Sequence, residues 1–240
     1  MHLEICCYNF VSVRIAHQQA VDAIELCSNP AEGGCTPSLA LIEKTVEHTK
    51  IPLGVMVRPR GGNFVYDAND KVIMLRDIEH IKKTGARFIV AGALTHENEI
   101  DIEFTKRLVE TSYPLMFRFH RAIDVVPNYL RSMSMLIESG VTSVLTSGGE
   151  QNAILGLTNL KEAKHYFGHS MQLVVAGGVR SNNALTFLQA GMHYLHSGAG
   201  TVSLSDSSKL RFNSMVSENS NQYTLCDGEE IRAIKDLLIQ

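Results

Sequence analysis

The sequence contains no tryptophan, only six prolines in 240 residues, and no long apolar run. Its longest apolar stretches, such as residues 88–94, fall far short of the roughly 20 residues that cross a bilayer as a helix. No charged segment followed by an apolar stretch and a small-residue cleavage site follows Met1, so a secretion signal is not predicted. We therefore expect a cytoplasmic protein with no membrane partner.

An excess of positive charge is also missing. The chain has 22 Lys and Arg against 25 Asp and Glu, a formal net charge of -3, whereas a surface that follows nucleic-acid phosphates needs clustered Lys and Arg. Nucleic acid is therefore not an expected partner. The five cysteines are an odd number, which argues against a disulfide framework in a chain without a secretion signal. We expect free thiols that are available as soft metal ligands.

What the sequence does contain is a regular alternation of short apolar runs and amphipathic segments. Successive runs start roughly 20 to 35 residues apart, which leaves room for one helix and two loops in each unit, as in right-handed βαβ crossovers. Eight such units predict an α/β fold, a single (β/α)8 TIM-type barrel over residues 1–240. The eight predicted strands are Leu3–Tyr8, Ala23–Cys27, Leu53–Val57, Phe88–Gly92, Leu115–Phe119, Ser143–Thr146, Gln172–Ala176 and Tyr194–His196.

Helix signals lie between these runs, as capping residues before apolar faces and glycines after them. The predicted helix starts are Ser38, Asn69 or Asp70, Asp101, Pro127 and Ser181. After strand eight, a polar and serine-rich stretch at about 203–221 is interpreted either as a mobile lid or as a surface loop. A C-terminal helix is predicted at about 228–239, where apolar residues share one face.

The carboxyl ends of barrel strands form the usual site face, so polar residues there are candidate site residues. Strand one offers Glu4 and Cys6, and strand two offers Glu25 and Cys27, each pair with matched parity. If both pairs face the interior, the two thiols of neighbouring strands can reach one soft ion such as Cu(I). The alternative is that both cysteines are small buried hydrophobic residues.

Strand five ends in a cluster of ionisable residues between Phe117 and Asp124. His120 is a candidate general acid or base, and Asp124 is placed to orient it or to bind a substrate hydroxyl. Arg118 shares a strand face with His120 and is predicted to pair with a buried glutamate, because a buried charge is costly without a partner. An ion-pair network that only fills the barrel is an equally open interpretation.

A third group of residues suggests an anion pocket. Arginines and glycines recur at the ends of several strands, where main-chain N–H groups freed by glycine, together with a helix N-terminus, bind anions. The predicted anion-binding residues are Arg58, Arg60, Arg121, Ser147, Gly177, Gly178, His196 and Gly198. Cys7, Cys35 and Cys226 have no matching partners in the sequence and are interpreted as structural.

The chain resembles the CutC copper homeostasis family over nearly its whole length. The motifs that carry the resemblance are Leu3-Glu4-Ile5-Cys6-Cys7-Tyr8, Ile24-Glu25-Leu26-Cys27, Arg58-Pro59-Arg60-Gly61-Gly62, Phe119-His120-Arg121-Ala122 and Leu145-Thr146-Ser147-Gly148. The resemblance implies a cytoplasmic (β/α)8 barrel linked to copper tolerance, with Cu(I) bound through Cys6 and Cys27. Two positions depart from the family pattern: Arg118 stands where threonine is common, and Asn63 replaces an aspartate.

Three functional hypotheses follow. The first is a cytoplasmic copper homeostasis protein that binds Cu(I) through Cys6 and Cys27, with a methionine or solvent completing the shell. The second is a barrel enzyme, a lyase, isomerase or hydrolase, that acts on a small anionic or phosphorylated carbohydrate-like substrate through Glu4, Glu25 and His120. The third is a binding or scaffolding barrel with neither metal nor turnover. Assembly into a homo-oligomer is left open by the sequence.

Overall fold

The computed structural model describes residues 1–204 and 222–239. Eight parallel strands close into a barrel in the order of the chain, so the predicted fold is confirmed. The barrel strands are β1 His2–Cys7, β2 Ala23–Leu26, β3 Leu53–Met56, β4 Phe88–Ala91, β5 Met116–Phe119, β6 Ser143–Thr146, β7 Gln172–Val175 and β8 Tyr194–Ser197.

Within residues 1–204 and 222–239, eight α-helices pack around the barrel, each after one strand. They are α1 Phe10–Gln18, α2 Leu39–His48, α3 Ala68–Ile81, α4 Ile102–Ser112, α5 Tyr129–Glu138, α6 Leu157–Phe167, α7 Ser181–Gln189 and α8 Gly228–Ile239. Ser38 and Asp101 cap α2 and α4 as predicted, because each side chain accepts a hydrogen bond from a first-turn N–H group. In the part of the chain that the structure describes, no helix is long and apolar enough to span a membrane.

The predicted capping residues of α3 and α7, and the predicted first-turn position of Pro127 in α5, were wrong by one to three residues. Asp67 caps α3 instead of Asn69 or Asp70, because its carboxylate accepts from the N–H groups of both. Asn128 caps α5, so Pro127 precedes the cap rather than lying in the first turn. The cap position of α7 is Arg180, and Ser181 is the first helical residue. In each case a neighbouring residue supplied the cap geometry.

The two faces of each strand carry different residues. Leu3, Ile5 and Cys7 of β1 point outward into the large core between the strands and the helices. Cys6 points inward, where it packs in a smaller interior cluster with Cys27 and Met56. This alternation follows from the two-residue period of a strand.

A hairpin that the sequence did not predict follows β8. Strand β9, Gly200–Leu204, pairs antiparallel with β10, Gln222–Cys226, directly before α8. The polar stretch predicted at about 203–221 therefore begins inside β9, and residues 205–221 lie outside the described part of the chain. This hairpin brings Cys226 next to β1, where its thiol donates to the carbonyl of Cys6 at 3.5 Å.

Candidate functional site

Cys6 and Cys27, called the inner pair below, lie side by side inside the barrel. Their Sγ atoms are 3.7 Å apart, and both side chains are buried. The loop after β2 covers Cys27: Gly34 adopts a φ of +107°, and a Cβ at that residue would lie 3.3 Å from the Cys27 Sγ. The structure thus places the two predicted cysteines within reach of one ion.

A histidine and a carboxylate complete this cluster. One ligand atom each from Cys6, Glu25 and His196 lie within 4.8 Å of one another, the only such group of three among residues 1–204 and 222–239. Strand register explains the meeting, because Glu25 is level with Cys6 across the β1–β2 pair, and His196 is level with Glu4 across the β1–β8 pair. His196, predicted to bind an anion, therefore belongs to the thiol cluster.

Glu4 connects the cluster to Arg118. The Arg118 Nη1 donates to both carboxylate oxygens of Glu4, at 2.7 and 2.6 Å, and Nδ1 of His196 lies 2.7 Å from Glu4 Oε1. With Nδ1 facing Glu4, the Nε2 of His196 is left to face Glu25, whose Oε2 lies 3.6 Å away. The ion pair that Arg118 was predicted to make with a buried glutamate is therefore present.

The two buried glutamates have opposite pKa shifts. Burial raises the pKa of Glu25 to about 8. Burial acts on Glu4 in the same direction, but Arg118 and His196 outweigh it and lower its pKa to about 2. Burial alone would lower the pKa of His196, yet Glu25, Cys6 and Glu4 raise it well above its usual range. Glu4 is thus held as a carboxylate between two cations, and Glu25 holds its proton at neutral pH.

The two thiols of the inner pair also differ. The hydrogen bond between the two sulfurs lowers the pKa of Cys6 well below its usual value, and His196 acts in the same direction. The pKa of Cys27 is raised well above its usual value by Cys6, by burial and by Glu25. Cys6 is therefore the thiol that ionises first, and the thiolate is the form that binds metals.

A cavity of about 590 Å³ opens above the inner pair. Cys6, Glu25 and His196 line its inner end, and residues of the loops that follow the strands, including Phe64, Arg121 and Gly177, line the rest. Cys27 is not among the lining residues. A ligand that enters from this side meets Cys6 before Cys27, and the cavity is large enough for a small organic molecule.

His120 and Asp124 do not contact each other through hydrogen bonds. The Nδ1 of His120 accepts from the N–H of Ala122 at 3.2 Å, while Asp124 accepts from the main-chain N–H of Ser147 and from the hydroxyl of Thr146. Asp124 therefore braces the β6 loop, and the predicted role of orienting His120 has no supporting contact. Burial, with Arg58 nearby, lowers the pKa of His120 to about 3, so its imidazole is neutral.

The three arginines that were predicted to bind an anion, Arg58, Arg60 and Arg121, do not converge on one point. Arg58 is buried and donates to the carbonyls of Glu32, Gly34 and Gly62, which ties the β2 and β3 loops together. Arg60 is outside the cavity lining, where its Nε bonds the Asp70 carboxylate at 2.8 Å.

Arg121 does line the cavity, although its guanidinium also contacts Asp124 at 2.8 Å and Ser147 at 2.8 Å. The structure therefore does not bring the three arginines together, because Arg60 projects to the exposed side of the β3 loop.

The predicted anion pocket at the start of α7 is filled by the protein itself. The carboxylate of Glu230 in α8 accepts hydrogen bonds from the N–H and the hydroxyl of Ser181, both at 2.8 Å. Gly177, Gly178 and Gly198 line the cavity, as their position at strand ends predicted. The helix N-terminus is nevertheless not free, because α8 supplies the anion.

A second pair of thiols, which the sequence did not reveal, lies outside the barrel wall. The Sγ atoms of Cys7 and Cys226, called the outer pair below, are 4.0 Å apart. The sequence shows no matching partner for either and they were interpreted as structural; the hairpin before α8 brings the two sulfurs together. Cys35 lies elsewhere, in the β2 loop next to Asn29. All five cysteines are free thiols.

Comparison with known proteins gives consistent matches. The CutC family model matches residues 1–201. A family protein named CutC from Yersinia pestis bv. Antiqua (strain Angola) is 36% identical over 242 residues, which covers 99% of this chain and 95% of the relative. The CutC protein of Salmonella enteritidis PT4 (strain P125109) is 38% identical over 200 residues, or 83% of this chain and 80% of the relative.

Solved structures agree. CutC from Streptococcus agalactiae, described as a candidate copper homeostasis protein, has a TM-score of 0.78 and 31% identity, and the match covers 82% of this chain and 99% of that chain. The 3-hexulose-6-phosphate synthase of Salmonella typhimurium, 13% identical with a TM-score of 0.63 over 100% of this chain and 99% of that chain, shares the fold alone. The family model and the relatives establish that this chain belongs to the CutC family.

Proposed function

We propose that the chain is a cytoplasmic copper homeostasis protein that binds Cu(I) through Cys6 and Cys27. The observation that carries this proposal is the 3.7 Å separation of two buried, free thiols on neighbouring strands. Thiolates are the soft ligands that select Cu(I) over harder cations. A reducing compartment keeps both the thiols and the copper in the required state.

The spacing of the inner pair suits a shared ion with a further donor. Two metal–thiolate bonds of about 2.3 Å would span about 4.6 Å in a straight line, whereas the sulfurs are 3.7 Å apart. A shared ion would therefore leave room on one side for a third donor. Met56 packs in the same interior cluster, and a ring nitrogen of His196 lies within 4.8 Å of the Cys6 Sγ.

His196 has the environment of a metal-binding histidine. Such histidines usually donate one ring N–H to a carboxylate and turn the other nitrogen toward the metal. Here Nδ1 faces Glu4 at 2.7 Å and Nε2 faces the Cys6 and Glu25 side. Arg118 in turn fixes Glu4. We therefore assign His196, which binds the ion only after it has lost its Nε2 proton, as the third donor, and Glu4 with Arg118 as the residues that orient it.

Copper is cargo in this proposal, and the two cysteines have different tasks. Cys6 lines the cavity and has the lower pKa, so it is the first thiolate that an arriving ion meets. Cys27 lies behind it, under the β2 loop. Cys27 would complete the site as a second thiolate, because a thiol that binds a metal releases its proton; in the unbound site its thiol donates to Glu25 Oε2 at 3.6 Å.

The contacts do not favour the enzymatic alternative. Glu4 is neutralised by Arg118, Arg60 is turned away from the cavity, and the N-terminus of α7 is occupied by Glu230. The carbohydrate-phosphate hypothesis thus loses Glu4, Arg60 and the N-terminus of α7 from the groups on which it depended.

The proposal is tested by titrating the reduced protein with Cu(I) against a competing chelator. Because loss of even an indirect support costs about 10–100-fold in metal affinity, Cys6→Ser and Cys27→Ser should each weaken binding by about a hundredfold or more. Cys35→Ser is the matched control, since Cys35 is also a buried thiol but bonds Asn29. Equal affinities of all three variants and the wild type would refute the assignment.

A further inference from the structure

Unpaired buried polar atoms gather around the cavity. In the described part of the chain, five buried side-chain nitrogen or oxygen atoms have no hydrogen-bond partner. Three of them, Glu25 Oε1, Arg58 Nε and His120 Nε2, belong to residues that line this one cavity. Leaving such a group unpaired costs about 1–3 kcal/mol. Their concentration in one place points to a ligand that supplies the missing partners.

The hydrogen-bond pattern defines two of these atoms as donors. Since Nδ1 of His120 accepts from the Ala122 N–H, the ring proton of the neutral imidazole is on Nε2. Arg58 is always protonated, and its other nitrogens already bind main-chain carbonyls, so its Nε–H remains. Both side chains contact Phe64: the guanidinium carbon lies 4.9 Å and the imidazole centroid 4.8 Å from its ring centroid.

Two buried donors beside one aromatic ring, one of them cationic, suit an anionic oxygen acceptor. A carboxylate is one of the anionic groups, with phosphate, that form strong charge-assisted hydrogen bonds to a guanidinium. The other end of the cavity presents Cys6 and His196, which suit a soft atom. The cavity volume of about 590 Å³ exceeds the needs of an ion and matches a small organic ligand.

We propose that the cavity binds a low-molecular-weight thiol that carries carboxylate groups, with a carboxylate at Arg58 and His120 and the sulfur directed toward Cys6. This inference rests on the proposed copper function, because such a thiol is a chemically suitable carrier of Cu(I) in a reducing compartment. The transfer is a ligand exchange. The bond from Cu(I) to the Cys6 thiolate forms, the bond to the carrier sulfur breaks, the carrier leaves as a thiolate, and copper stays Cu(I).

The test uses reduced glutathione as the probe and the reduced, metal-free protein. Isothermal titration should show saturable binding at one site per chain. In His120→Asn the side-chain oxygen can replace Nδ1 as the acceptor, but no donor replaces Nε2. In His120→Gln the longer side chain can place its amide N–H where Nε2 stood. We expect His120→Asn to weaken binding about tenfold or more, because a hydrogen bond to a charged group is lost, and His120→Gln to retain most of it. No saturable binding up to about 10 mM overturns the proposal.

Glutathione derivatives separate the two ends of the ligand. The diethyl ester lacks free carboxylates and should bind about tenfold more weakly or worse, since the charge-assisted bonds are lost. S-methylglutathione keeps the carboxylates, so it should bind and compete. If the ester binds as well as glutathione, or if His120→Asn changes nothing, the orphaned donors serve no ligand and the inference is wrong.

Failure of this inference and failure of the copper proposal are distinguishable. Cys27→Ser should leave glutathione binding within about threefold of the wild type, because Cys27 does not line the cavity, yet it should abolish tight Cu(I) binding. His120→Asn should weaken glutathione binding but leave Cu(I) binding unchanged when the ion is supplied from a chelator. Loss of both activities in both variants would contradict the separation of thiol site and carrier site.

Discussion

The inner pair and the outer pair of thiols form an internal comparison. Both pairs are buried, with sulfur separations of 3.7 Å and 4.0 Å. In each pair one thiol has a lowered pKa and the other a raised one, and the hydrogen bond between the two sulfurs is the first cause in all four. Neither distance nor the pKa difference within a pair distinguishes them.

What differs is the surroundings. Cys6 has His196 and Glu25 beside it and opens to the cavity. Apart from Cys7, Cys226 has the main-chain carbonyls of Cys6 at 3.5 Å and Gly198 at 3.6 Å and the hydroxyl of Ser12 as hydrogen-bond partners. A pair of close thiols therefore becomes a candidate metal site only when further donors and a route of entry accompany it. The predictions below test this difference from both sides.

The largest effect should come from the charges beneath the inner pair. Arg118→Met removes the guanidinium that neutralises Glu4 and leaves a buried carboxylate with His196 alone, so the free energy of unfolding should fall by about 3–5 kcal/mol. Urea denaturation monitored by circular dichroism measures this change.

Two variants control that measurement. Adding Glu4→Gln to Arg118→Met removes the unpaired charge and should restore a large part of the loss, because the cost lies in the uncompensated ion. Lys44→Met breaks an exposed ion pair with Glu47 and should change stability by about 0.5 kcal/mol or less. Equal losses in Arg118→Met and Lys44→Met would contradict the account of the buried network.

His120, on the cavity side, should make stability depend on pH. Its pKa falls from 6.5 to about 3 on folding, so below pH 6.5 the unfolded chain binds the extra proton. Above pH 6.5 His120 is neutral in both states and takes nothing from the free energy of unfolding. Below pH 6.5 the free energy of unfolding falls by about 1.4 kcal/mol per pH unit.

His120→Asn should remove this part of the slope between pH 6 and pH 4, measured as the difference from the wild type in urea denaturation. The difference is needed because Glu25, with a raised pKa, contributes with the opposite sign over part of that range. His80→Asn, at an exposed histidine of α3, is the matched control. An unchanged slope in His120→Asn would mean that the imidazole is not held neutral.

His196 should make the inner pair bind Cu(I) more tightly than two thiols alone would. His196→Asn keeps a donor for Glu4 but removes the nitrogen that faces Cys6, so Cu(I) affinity should fall about 10–100-fold. Competition with a chelator measures the affinity. If the variant binds as the wild type does, His196 is not the third donor and the cysteines act alone.

The smallest effects are expected at the outer pair. Cys7→Ala and Cys226→Ala each remove one buried sulfur and should cost about 1 kcal/mol of stability. Cu(I) affinity should stay within about threefold of the wild type, since neither sulfur faces the cavity. A drop of a hundredfold in either variant would show that copper uses the outer pair.

Part of this arrangement could be predicted from the sequence. Strand alternation and parity placed Glu4, Cys6, Glu25 and Cys27 inside the barrel, and the cost of a buried charge correctly paired Arg118 with a glutamate. These inferences use local periodicity and the order of neighbouring strands, which a sequence displays directly.

The other contacts of the site depended on how the barrel closes and on the register between its strands. His196 meets Glu4 because β8 closes against β1 at one particular register, which no local pattern specifies. Cys226 contacts Cys7, which is 219 positions earlier in the sequence, because an unpredicted hairpin places it next to β1. Glu230 fills the start of α7 through a contact between helices 49 positions apart. Helix α1 was not predicted, although Asn9 is a recognisable cap for it.

The central claim is that copper is bound by the inner pair and not by the outer pair. It is tested most directly with two triple variants, each of which retains one pair. One carries Cys7→Ala, Cys35→Ala and Cys226→Ala, and the other carries Cys6→Ala, Cys27→Ala and Cys35→Ala. In a chelator competition with Cu(I), the first should bind one ion per chain with nearly wild-type affinity, and the second should bind none. Tight binding by the second variant, or none by the first, would contradict the claim.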